Sequence, residues 1–190
     1  MKAAIVLVGD TDAQNYGAKT MLAVHRLGGT GFEAARLPFH VSLKQTFRIQ
    51  NIDTFEKFFD EFSTKVKPIS VPFEEFWVMP NSALGGMESG CLALKAKRTK
   101  QLEDIQRQLF EALTERFGPC PSEHDNEYIF HMTLAIGNAP YENYLRAYDM
   151  LKKDAVPSEL RFDKLAFFYY DDDSIAKGTY FCYKCRDLGQ

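Results

Sequence analysis

The chain has 190 residues, with 23 Lys plus Arg against 26 Asp plus Glu, a net charge of −3 and a pI near 5.8. That length suits one ordinary domain or two small lobes, and that charge argues against wrapping long nucleic acid, which needs many Lys/Arg–phosphate contacts. Hydrophobic residues at 45% and charged residues at 26% exclude a disordered chain, the apolar run at 3–9 is too short for a membrane span or a secretory leader, and four Cys do not make a disulfide framework, so a reducing cytoplasm is expected.

Residues 3–9 (AAIVLVG) are continuously apolar and β-branched and predict a buried strand. Residues 11–27 predict a helix with Thr11 as N-cap and Gly28-Gly29 as its stop. Residues 38–46 alternate, with Phe39, Val41 and Leu43 on one face and His40, Ser42 and Lys44 on the other, the signature of a half-buried strand. A Phe-rich helix over 53–66 and a strand over 69–79 follow, and 80–90 (PNSALGGMESG) reads as a linker.

The order then repeats. Strand 91–97, helix 99–117 ended by Gly118-Pro119, strand 128–136, helix 141–152 and strand 162–170 mirror the first half, with an added strand at 179–185 after the acidic turn Asp171-Asp172-Asp173. The first strands and first helices of the two halves are both offset by 88 positions, which marks an internal duplication. The expected organisation is a single two-lobed domain over 1–190, with lobe one at about 1–80, the linker at about 80–90 and lobe two at about 90–190.

Matched pentapeptides sit in the middle strand of each half: Phe39-His40-Val41-Ser42-Leu43 and Phe130-His131-Met132-Thr133-Leu134. They hold two of only four His, and alternation puts each His and its hydroxyl on one face, about 6.6 Å apart along the strand. Two such faces converging across a cleft supply two imidazoles and two alcohols. One imidazole accepts a proton while the other donates one, which is what phosphodiester cleavage needs, and Ser42 and Thr133 donate hydrogen bonds to the non-bridging oxygens. Lys44 adds positive charge at the rim, and Tyr169 or Tyr170 offers a ring for base stacking.

These motifs resemble the His-x-[Ser/Thr]-hydrophobic pair of the two-histidine phosphoesterase superfamily. The extension His40-Val41-Ser42-Leu43-Lys44-Gln45-Thr46-Phe47 looks like its 2′-5′ RNA ligase-like bacterial branch. The resemblance covers the element order over nearly the whole length. It implies an α+β, bilobal, pseudo-two-fold fold, two mainly antiparallel sheets lining a central cleft with helices outside. It also implies an enzyme of metal-independent chemistry, without a cofactor, on 2′,3′-cyclic phosphates or 2′-5′ bonds of nucleotides or RNA ends. Carried over, His40 and His131 are the acid/base pair, and Ser42 and Thr133 bind phosphate. Many members place an Arg shortly after the second motif, whereas Ile136 and Gly137 follow Ala135 here. That departure keeps a non-catalytic nucleotide or RNA-end binding module as an alternative, beside an ATP-independent 2′-5′ RNA ligase. The expected partners are thus a cyclic nucleotide or RNA end, with no long duplex and no membrane.

Other features carry milder expectations. Cys182 and Cys185 form a CxxC, joined by Cys120 and His124 as possible zinc ligands, but residues three apart in a strand face opposite ways unless the strand bulges. Lys95, Lys97, Arg98 and Lys100 read as a solvated strand end. His25, in the last turn before Gly28, complements the helix C-terminus. His40 and His131 as metal ligands would lack a carboxylate or thiol.

Overall fold

The computed structural model describes residues 1–81, 89–122, 125–171 and 180–189. It is an α+β protein of seven strands and four helices among these residues: β1 (Lys2–Gly9), α1 (Thr11–Gly28), β2 (His40–Arg48), α2 (Ile52–Ser63), β3 (Ile69–Asn81), β4 (Ser89–Ala96), α3 (Lys100–Phe117), β5 (His131–Pro140), α4 (Tyr141–Leu151), β6 (Glu159–Tyr170) and β7 (Tyr180–Asp187), with a 3₁₀ turn at Glu33–Arg36. No described helix is long and apolar enough to cross a membrane.

Local chemistry sets the helix ends. The N-cap of α1 is Asp10 rather than the expected Thr11; its carboxylate accepts the Ala13 N–H at 3.0 Å, and a carboxylate also complements the helix dipole. Asn51 caps α2 and Thr99 caps α3 in the same way. Gly29 closes α1 at φ +67°, its N–H bonded to the His25 carbonyl at 2.7 Å, a left-handed conformation that glycine adopts at no steric cost.

All strand pairs are antiparallel, in the order β1-β2-β5-β4-β3-β6-β7, and β6 also pairs along β1. The pairings therefore return on themselves. One arm is β7-β6-β1-β2 and the other is β3-β4-β5. They join at Val41 opposite Met132 on one side, and where Ile69–Pro72 of β3 meets Glu159–Phe162 of β6 on the other.

The arms do not follow the chain halves. β1 and β2 share an arm with β6 and β7, and β3 pairs with β4 across the expected linker, with Asn81 opposite Ser89. Of the expected linker, residues 80, 81, 89 and 90 belong to these strands, and residues 82–88 lie outside the described ones.

Alternation sorts the two faces. Ala3, Ile5 and Leu7 of β1 join Val41, Leu43, Leu92, Leu94, Met132 and Leu134 in the main core, beneath Phe55, Phe59, Leu102, Leu109 and Tyr144 of the helices. Val6 and Val8 point the other way, into a small cluster with Ala166 and Phe168.

A bulge in β2 breaks this order locally: Ile5 faces Lys44 while Val6 faces Ser42. Neighbours on β1 face opposite sides, so Ser42 and Lys44 do too, although they are two apart. Lys44 goes into the helix-side core, 2% exposed, paired with Asp125 and 4.5 Å from the centroid of the Phe110 ring. Asp125 also accepts the Ser122 N–H at 2.8 Å, and Ser122 Oγ donates to the Gln45 carbonyl at 3.0 Å, so the loop before β5 is tied to β2.

Two stability measurements test this packing. A Cβ on Gly17 would stand 2.4 Å from the Phe39 ring, so Gly17→Leu is expected to overpack this contact and cost about 1–3 kcal/mol. Calorimetry should show Tm lower by roughly 2–4 °C for each kcal/mol lost. Asp125→Ala strands the Lys44 ammonium in the core, with an expected loss of about 3–5 kcal/mol by urea denaturation. The double variant carrying Lys44→Met as well should recover part of it, because it removes the unpaired charge.

Candidate active site

β2 and β5 are the strands on which the two arms meet, and their pairing is confined to Val41 opposite Met132. Each of these residues follows a His and precedes a hydroxyl. An antiparallel pair has a local two-fold axis. One residue to either side of this pair stand His40 and Ser42 on β2 and His131 and Thr133 on β5. Val41 and Met132 are fully buried in the helix-side core, which turns the four polar neighbours to the other face. There His40, Ser42, His131 and Thr133 line one cavity of about 820 Å³. The sequence-derived pairing of the two motifs is therefore present as a single lined space.

The strand entry before His40 is held from both sides. Gln14 of α1 donates from Nε2 to the Phe39 carbonyl at 2.8 Å, and its Oε1 accepts the Phe39 N–H at 2.9 Å. The Phe39 carbonyl also accepts the Gly9 N–H at 3.1 Å.

Both imidazoles are then oriented by the same device. Nδ1 of His40 lies 2.7 Å from the Pro38 carbonyl, and Nδ1 of His131 lies 2.8 Å from the Ile129 carbonyl. A carbonyl only accepts, so each Nδ1 carries the proton, and Nε2 is the nitrogen that exchanges one with a ligand. Each ring also meets an aromatic edge: Phe168 stands at 4.7 Å and 90° to His40, and Trp77 at 5.5 Å and 80° to His131.

The electrostatics follow from burial. His40 has its pKa lowered to about 4, chiefly because the cavity wall desolvates the imidazolium; the Pro38 carbonyl opposes this and the charge of His131 adds to it. At neutral pH His40 is therefore the uncharged, proton-accepting form. Cys91 lines the same wall, with Sγ 3.7 Å from Thr133 Oγ1, and burial pushes its thiol up to about 11. Tyr128 has a buried hydroxyl beside Ser42 and Gln45, with no hydrogen bond of normal length among the described residues.

The remaining sequence candidates divide. Tyr170 lines the cavity and stacks on Tyr180 at 5.5 Å and 15°. Tyr169 is opposite Ala3, on the helix side of the sheet, and does not line it. Lys44 does not line it either, because the bulge turns its ammonium into the core. Among the described residues no Lys or Arg lines the cavity, whereas Glu33 and Glu127 do. Arg36 stands over the ring of the lining residue Tyr180 at 4.9 Å and 3.7 Å from Glu33.

Of the basic cluster, Lys95 pairs with Glu75, Arg98 with Glu103 and Lys100 with Asp104, as befits a solvated strand end. His25 stacks on Phe32 at 3.9 Å in the last turn of α1. No cluster of three or more His, Cys, Asp or Glu suited to a metal occurs among the described residues. His124, Asp172 and Asp173 lie outside them.

Sequence reasoning missed Trp77, Phe168, Tyr128 and Cys91. For Phe168 the signal was available, since it lies two residues before Tyr170 and shares its face. For Trp77 and Cys91 it was not, because the β3–β4–β5 pairing that brings them in is non-local.

This fold has counterparts. The structure is similar to that of TT0787 from Thermus thermophilus, with a TM-score of 0.64 at 15% identity over 99% of this chain and 98% of that one. It is similar to Escherichia coli LigT complexed with 3′-AMP, at 0.58 and 8% identity over 100% and 98%. Kluyveromyces marxianus Usb1 matches at 0.50 and 13% identity over 87% and 92%. At these identities the likeness is one of fold. No curated protein sequence matches the chain significantly. The family model for the 2′-5′ RNA ligase superfamily matches residues 24–174, which contain both His motifs, and the chain belongs to that family, within the two-histidine phosphoesterases.

Proposed function

We propose that the protein is a phosphodiesterase that opens 2′,3′-cyclic phosphates, or cleaves 2′-5′ bonds, of nucleotides or RNA ends by acid/base catalysis from His40 and His131. The family supports a phosphoesterase or RNA-processing role at the coarser level. The observation that carries the finer reading is the matched pair of imidazoles, locked in one tautomer by their own backbones, each with a hydroxyl neighbour in one cavity. That E. coli LigT is complexed with 3′-AMP, and K. marxianus Usb1 with uridine monophosphate, supports a nucleotide as the ligand here.

In this reading the phosphate sits over Val41–Met132, with Ser42 and Thr133 donating to its non-bridging oxygens. His40, neutral at working pH, takes a proton from water as the water oxygen bonds to phosphorus. The ester P–O bond breaks, and His131 gives its Nε2 proton to the leaving ribose oxygen. The product is a phosphomonoester with a free neighbouring hydroxyl, and solvent resets both rings. Charge builds on the non-bridging oxygens during attack, so donors already aimed at them favour the transition state over the ground state. With a ribose hydroxyl of a second RNA end in place of water, the same proton transfers would form the new P–O bond as the ring P–O bond of the cyclic phosphate breaks, joining the ends without ATP. Both proton transfers come from protein groups, so turnover is expected to persist in EDTA.

The test is hydrolysis of nucleoside 2′,3′-cyclic phosphate. His40→Ala and His131→Ala should each lower kcat/KM by about 10²–10⁴. Full activity in either variant removes the pairing, and nucleotide affinity that survives both substitutions without any turnover favours the binding module. The pH profile gives a second check. A base works only when unprotonated, so kcat/KM should rise through the lowered His40 value of about 4, and fall at the alkaline end as the acid loses its proton. An acidic limb at the ordinary histidine value of about 6.5 would contradict a buried His40 base.

A further inference from the structure

We propose that Cys182 and Cys185 form a chelating dithiol for a soft, two-coordinate cation of the copper(I) type, on the cleft-side face of β7 and separate from the histidine site. Residues three apart in a regular strand face opposite ways, and β7 is not regular there. Phe168 is opposite Cys182, Phe167 is opposite Lys184 and Ala166 is opposite Cys185, so one extra residue, Tyr183, is inserted between the two Cys. Directly opposed residues share a face, and so do Phe168 and Ala166, two apart on β6. Cys182 and Cys185 therefore share that face as well.

Side-chain contacts agree on both sides of the sheet. Tyr183 and Lys184, the two residues between the Cys, both reach Glu56 of α2, the phenol donating at 3.1 Å, and Lys184 also pairs with Asp60 at 2.9 Å. Both residues are thus turned to the helix side. Cys182 packs on the opposite face, against the cluster of Val6, Val8, Ala166 and Phe168. Cys182 is half-buried and Cys185 exposed, so the pair is open to a small ion.

Spacing decides what the pair holds. Their partners on β6 are two residues apart, so the Cys Cα and Cβ atoms stand about 6.6 Å from each other. A disulfide needs Cβ atoms about 3.5–4.5 Å apart, which here requires backbone movement. A cation bound by two thiolates at about 2.3 Å, the length of a zinc–thiolate bond, needs sulfurs roughly 4.6 Å apart. Side chains that lean towards each other by about 1 Å each supply that. Thiolates select soft cations such as Cu(I), and a two-coordinate ion needs no third protein ligand.

On binding, two S–H bonds break, two Cu–S bonds form, two protons pass to solvent and the copper stays Cu(I). On that face the charge of Lys164 favours the Cys185 thiolate, and Asp187, paired with Lys164 at 3.8 Å, opposes it. Burial raises both thiols above the ordinary cysteine value, so uptake proceeds by proton displacement.

The experiment is anaerobic Cu(I) titration of the full chain against a colorimetric Cu(I) chelator, followed by thiolate-to-copper absorption in the ultraviolet. The expected result is one equivalent bound, weakened by at least about tenfold in Cys182→Ser and in Cys185→Ser, and unchanged in Cys120→Ser. Circular dichroism and Tm of the serine variants show whether they remain folded. A folded Cys182→Ser or Cys185→Ser with wild-type affinity overturns the proposal, as does no uptake by the wild type. Should a variant fail to fold, carbamidomethylation of the folded wild type, mapped to Cys182 and Cys185 by mass spectrometry, replaces it. Copper binding that survives this modification overturns the site, and its loss supports it.

Discussion

β2 and β5 pair at Val41 opposite Met132, and the candidate chemistry depends on that meeting. Because the pair is antiparallel, whatever stands before Val41 is placed beside whatever stands after Met132, and the reverse. A His-x-hydroxyl sequence on each strand therefore generates two His–hydroxyl neighbours from one contact. The helix core beneath it fixes Val41 and Met132 from below, Gln14 holds the strand entry, and the β3–β6 pairing closes the other side of the ring. With the arms joined on both sides, the four polar groups are set by the sheet rather than by loops, which favours a preorganised site.

The sequence made the elements legible because their periods are strong: α3 shows an unbroken 3.6-residue stripe from Leu102 to Leu113, and β2 alternates from Phe39 to Leu43. The histidine pair was legible because the His-x-hydroxyl motif occurs twice in the chain. Three things were not, and each has a physical reason. Which strands neighbour which is a non-local matter, so β3 could be placed by its own pattern but not assigned to β4 rather than to β1. The face of Lys44 depends on a bulge, which inserts a residue without leaving a clear mark in the local pattern. The same holds for Cys182 and Cys185, where expected opposite faces become one. Parity arguments in strands thus survive until the first bulge and invert after it.

The cavity is electrostatically unlike a site built on guanidinium clamps. Among the described residues its wall offers imidazoles, hydroxyls, aromatic edges and two carboxylates, with Lys44 turned into the core and Arg36 engaged by Tyr180 and Glu33. Such a wall attracts a phosphate weakly over distance, because most of its donors are neutral until a proton arrives. Its discrimination then comes from short-range geometry, the hydroxyls and the ring Nε2 atoms, rather than from a long-range field.

The carbonyl locks on the two rings reach further than orientation. In many acid/base sites a carboxylate aims the histidine, and acid that protonates the carboxylate releases the ring as well. Pro38 and Ile129 offer backbone oxygens that do not titrate, so the aim of both imidazoles is independent of acidity. Any loss of activity in acid would then report the protonation of the working nitrogen itself, and the machinery would regain its full alignment the moment neutrality returned.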